Sequence, residues 1–86
     1  MENNDLNALN SASQARQILA YMQKGNRINP LEALRLFGSF RLGARIKDIE
    51  EIIGYAPERR RVRVENRYGK QVYVQEYWLK EEPVKQ

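Results

Sequence analysis

The apolar residues of this 86-residue chain change their spacing once, and the change falls just after Gly54. Before it they recur every three or four residues, the period of a helix. After it, Arg61-Val62-Arg63-Val64-Glu65 alternates strictly, the period of a strand. The chain is therefore expected to build a helical unit first and a small sheet second, an α+β fold.

Glycines and caps divide the helical part into three. Ser11 or Ser13 can cap a first helix, and Ala15, Ile18, Leu19 and Met22 then form one apolar stripe that stops at Gly25. Arg27-Ile28 has room for a very short extended segment. Asn29-Pro30 reads as the next N-cap and first helical position, because proline has no N–H to lose there. That second helix carries Leu31, Ala33, Leu34 and Phe37 and closes at Gly38. Ser39 reads as the cap of a third helix, which leaves a link of only about three residues, short enough for a helix-turn-helix. Leu42, Ile46, Ile49 and Ile53 form its stripe, and Gly54 ends it.

The strand part reads as a hairpin: Arg61 to Glu65, turn residues from Asn66 to Lys70, and a second strand over Gln71 to Leu79. In that second strand Val72 and Val74 share one face while Tyr77 and Leu79 share the other, which predicts a bulge or a change of buried face. Tyr77, with at least one neighbour, is assigned to the interior, because so small a helical unit needs aromatic area from its sheet. Residues 1–10 and 80–86 are polar and aperiodic and read as flexible tails around a domain spanning 11–79.

Composition narrows the function classes. With 42% hydrophobic and 30% charged residues the chain is expected to fold, and with no cysteine it does so without disulfides or thiolate metal sites. Histidine is also absent, there is no glycine-rich phosphate loop, and the carboxylates show no paired or metal-ligating spacing. The reading is a binding protein, not an enzyme, with no cofactor. No segment is apolar enough for a secretory leader or a membrane span, so the cytoplasm is the expected compartment. The net charge is +4, and it is concentrated: Arg59, Arg60, Arg61, Arg63, Arg67 and Lys70 stand against Glu65 alone within one segment.

Helix, helix, short turn, helix and hairpin is the winged helix order. The stretch Gln17 to Leu79 resembles a family of short winged helix-turn-helix domains of bacteria and bacteriophages. The likeness is clearest in Ile28-Asn29-Pro30-Leu31-Glu32-Ala33-Leu34, Phe37-Gly38, Arg41-Leu42-Gly43-Ala44-Arg45-Ile46 with Asp48, and Tyr77-Trp78-Leu79. It departs from the family's pattern at Gly43 and at Glu50-Glu51. The resemblance implies a double-stranded DNA partner and the role of a transcriptional regulator or an accessory factor of a phage or mobile element.

In such a fold the first turns of the third helix enter the major groove, where arginine can donate two hydrogen bonds to guanine. Ser39, Arg41, Ala44, Arg45 and Lys47 occupy those turns. Arg45 can equally pair with Asp48 along the helix. Arg41, Arg45 and Lys47 precede Asp48, Glu50 and Glu51, so the charge order opposes the helix dipole, and a polyanion against the first turns would reverse that sign. In the hairpin, Arg61 and Arg63 form a cationic ridge over Val62 and Val64, with Arg67 and Lys70 at the loop, suited to tracking phosphates. The same ridge would also protect a strand edge from aggregation. An acidic protein is the alternative partner and structured RNA a third. A homodimer would suit a palindromic site.

Overall fold

The computed structural model describes residues 2–80, with side chains from Ser11 onward. Three helices, α1 (Glu2–Gln23), α2 (Pro30–Phe37) and α3 (Leu42–Ile53), precede two antiparallel strands, β1 (Glu58–Glu65) and β2 (Gln71–Trp78). This is the α+β arrangement expected from the change of period.

The core is the meeting of two helical stripes, closed by three further residues. Ala15, Ile18, Leu19 and Met22 of α1 face Leu42, Ile46 and Ile49 of α3, closed by Ile28, Ala33 and Tyr77, all of them buried. Tyr21 and Phe37 complete the α1–α2 junction edge to face, their centroids 5.5 Å apart. In α2 only Ala33 is buried; Leu31 and Leu34 lie on the flanks of a helix too short to be covered on both sides.

Asn29 caps α2 as expected. Its side chain accepts from the Glu32 amide at 2.9 Å, and the Glu32 carboxylate accepts from the Asn29 amide at 3.2 Å, a reciprocal box with Pro30 at the first turn. Gly38 ends the helix at φ +68°; its amide donates to Leu34 O and the Ser39 amide to Ala33 O.

Two helix starts differ from the sequence reading. The first helix begins at Glu2, not at Ser11 or Ser13, so residues 2–10 belong to α1. No glycine or proline interrupts the chain before Gly25, so a serine that can cap need not do so. The third helix begins at Leu42 with Arg41 at its N-cap position, so Ser39 is not the cap. Ser39 is buried in the turn, where its hydroxyl accepts weakly from the Arg41 amide at 3.4 Å. Of the expected carboxy-terminal tail, only Lys80 falls within the described residues, and 81–86 lie outside them.

The hairpin pairs in one uniform register from Glu58↔Trp78 to Glu65↔Gln71, with Val62 opposite Val74 and Val64 opposite Val72. Of the two expectations for β2, the change of buried face is realised without a bulge. The valines are half-buried on one face, and Tyr77 is buried on the other. Ile28 makes that switch possible. Its amide donates to Tyr77 O at 2.9 Å and its carbonyl accepts from the Tyr77 amide at 2.8 Å, a one-residue third strand where the short extended segment was expected.

Candidate nucleic-acid interface

The turn between α2 and α3 is held from behind. The Gln14 side-chain amide on α1 lies 3.4 Å from Phe37 O and 3.3 Å from Gly38 O, the two carbonyls that leave α2. These two contacts tie the end of α2, where the turn through Ser39, Phe40 and Arg41 begins, to α1. No side chain caps the first turn of α3, no acid lies in that turn and no base in the last. The positive end of the helix is left to Arg41, which is exposed.

The predicted residues of this region separate into three kinds. Arg41 and Lys47 are exposed and form no ion pair among the described residues. Ala44 is half-buried. Ser39 and Arg45 are turned inward: Ser39 is 2% exposed, and the Arg45 side chain, 15% exposed, sets its Nε 3.0 Å from Asp48 Oδ2. The separation is that of an ion pair, but the Nε–H is not aimed at the oxygen, so the attraction is Coulombic without a hydrogen bond. Arg45 and Asp48 line a shallow depression with Ser11, Ala15 and Arg16 of α1. Phe40 is the residue that the sequence reading misses. It lies in the turn before the Arg41 cap position, and its 86% exposure exceeds that of every other exposed large apolar residue described.

The hairpin presents its charge on one face. Alternation places Arg59, Arg61 and Arg63 together, across from Tyr77, Gln75 and Tyr73 in the register. The Arg61 guanidinium lies 4.5 Å over the Tyr73 ring, which steadies it without neutralising it. Arg60 points to the other face, where its Nε is 3.6 Å from Glu76 Oε1; Arg27 reaches the same oxygen at 3.3 Å and stacks on Trp78 at 4.0 Å. One of the six cations is thus committed to the base of the hairpin. Arg59, Arg61, Arg63, Arg67 and Lys70 form no ion pair among the described residues.

The tip is preformed. Asn66 Oδ1 accepts from the Tyr68 amide at 2.9 Å and the Lys70 amide at 3.0 Å, and the Gly69 amide donates to Asn66 O. Gly69 at φ +81° supplies the left-handed residue that a three-residue hairpin loop needs. Arg67 and Lys70 are displayed on this loop with Tyr68, which is 78% exposed.

A helix-turn-helix whose third helix has an open, cationic start, followed by a basic two-stranded wing, defines a winged helix-turn-helix domain, a DNA-binding and non-enzymatic class of fold. The match to the family described as winged helix-turn-helix domain spans residues 13–82, and the chain belongs to that family. No curated protein and no solved structure matches the chain. Among the described residues no helix is long and apolar enough to cross a membrane.

Proposed function

We propose that the domain over residues 11–79 binds double-stranded DNA with α3 in the major groove and the wing on the phosphates, and that it serves in the cytoplasm as a transcriptional regulator or phage or mobile-element accessory factor. The observation that carries the DNA reading is the cationic face of β1, three arginines against the single carboxylate of Glu65 at its loop end. Arg59, Arg61 and Arg63 stand side by side, continued by Arg67 and Lys70 at a loop whose shape is set by Asn66 and Gly69.

Like charges on one strand face repel, and a phosphate row relieves that repulsion while releasing its counterions. Arg41 and Lys47 supply the groove contacts, with Arg41 the residue suited to guanine. Arg45 supports the helix from behind through Asp48. The regulatory role rests on the family resemblance of the motifs around Arg41 to Asp48.

The test is binding of the full chain to a labelled random-sequence duplex across a salt series, repeated with Arg61→Ala/Arg63→Ala. The expected slope of log affinity against log salt is steep and becomes shallower by about 2 in the double variant, close to 0.9 for each phosphate that is no longer neutralised. Absence of binding at low salt would overturn the DNA reading and redirect the search to an acidic protein.

A further inference from the structure

An exposed phenylalanine is ordinary when it sits on a loose loop; Phe40 does not. It lies between Ser39 and Leu42, each 2% exposed, in a turn fixed by Gly38 and tethered to α1 through Gln14. The backbone on both sides is anchored inward, so the ring is held outward by the fold itself. From Gly38 to Lys47 there is no carboxylate, and Arg41 and Lys47 are exposed cations, while Arg45 is turned to Asp48. The surroundings suit a polyanion that also offers an apolar group at its surface.

In the major groove that group is the C5-methyl of thymine, the one apolar substituent among the base edges. We propose that Phe40 is a specificity-determining residue that reads thymine by laying its ring against this methyl, beside the base contacted by Arg41. The inference rests on the DNA reading above and deepens it. Arg41 supplies hydrogen bonds for one base, and Phe40 supplies shape and apolar contact for its neighbour.

The experiment begins by enriching a preferred duplex for the full chain from a random pool. Each thymine of that duplex is then replaced in turn by deoxyuridine, which removes the methyl and keeps every hydrogen-bonding group. The unaltered protein is expected to lose about fourfold in affinity at one thymine position, as burial of one methyl group implies. In Phe40→Ala that position becomes insensitive, while binding to random duplex keeps the same salt slope. Phe40→Leu retains part of the discrimination, and thermal melting of both variants matches the unaltered protein because the ring contributes nothing to the core. Uniform indifference to deoxyuridine, discrimination that persists in Phe40→Ala, or enrichment without any sequence preference would each overturn the role of Phe40 while leaving phosphate binding intact. Failure to bind any duplex at low salt would overturn both readings and assign the ring to a protein partner.

Discussion

Gly43 stands in the first turn of α3 with ordinary helical backbone, exposed, and with open space where a Cβ would be. Nothing in the fold requires a glycine there, and alanine should stabilise the helix by about 0.5–1 kcal/mol. If the start of α3 approaches a duplex closely, the added methyl takes up the space the DNA needs. Gly43→Ala is therefore expected to raise the melting temperature and weaken duplex binding severalfold; a rise in both would mean that the first turn stands clear of the groove. Arg41 and Arg45 form a similar pair of opposites. Arg45→Ala removes the partner of Asp48 at the α1 interface and should lower stability by about 1 kcal/mol. Arg41→Ala should change stability by less than about 0.5 kcal/mol and cost more in DNA affinity. Chemical denaturation paired with binding measurements on the two variants checks that ordering. The sequence offers Arg45, and not Arg41, a partner at i+3 in Asp48, but it could not show which arginine is covered. What separates them is α1, whose Ser11, Ala15 and Arg16 line one depression with Arg45, while Arg41 stands exposed before α3.

Among the elements, the wing depends on a single deep anchor. Among the described residues Tyr77 is the one member of β1 or β2 in the buried core, and its backbone also carries both hydrogen bonds to Ile28. Tyr77→Ala should cost about 3–5 kcal/mol, the usual range for emptying an aromatic site, whereas Tyr73→Ala, at a 58% exposed position, should cost far less. Urea denaturation of the two variants tests the contrast; similar losses would mean that the hairpin is held along its length and not at its base. The stripes of α1 and α3, the cap of α2 and the hairpin were legible because period, caps and glycine stops are local properties, and Ala15 to Met22, Leu42 to Ile49 and Asn29 behave as their spacing implies, whereas Leu31 and Leu34 of the expected α2 stripe stay exposed. The start of α3 was not legible. A serine after a helix-ending glycine looks like a cap, but the hydrogen bonds that close α2 at Gly38 and the reach of Gln14 from α1 carry the chain past Ser39 before α3 begins. The same limit hid the uniform register of β2, since the change of face at Tyr77 is set by Ile28, a residue far away in sequence.

At the scale of the whole molecule, the charge is less a surface average than a local excess. The chain carries +4, and the segment from Arg59 to Lys70 holds six cations and one carboxylate, so the remainder is close to neutral. Residues two apart on a strand are separated by about 6.6 Å along it. Neighbouring members of the Arg59, Arg61, Arg63 row therefore repel by roughly 0.6 kcal/mol per pair in water before salt screening. The molecule is a slab of 48 × 37 × 17 Å with no thick interior to isolate this face, and the screening length at 0.1 M salt is about 10 Å. Added salt should then act in opposite directions on the free protein and on its complex. Between about 0.05 and 0.5 M sodium chloride the free chain should melt a few degrees higher, because screening relieves the repulsion along β1, while duplex affinity falls by orders of magnitude. In Arg61→Gln/Arg63→Gln both trends should shrink together, and the variant at low salt should be at least as stable as the unaltered chain. Thermal melts and duplex titrations on the same salt series make the comparison direct. A double variant that loses affinity and stability in parallel would mean that these arginines hold the hairpin together, and the excess charge would then be a feature of folding and not of recognition.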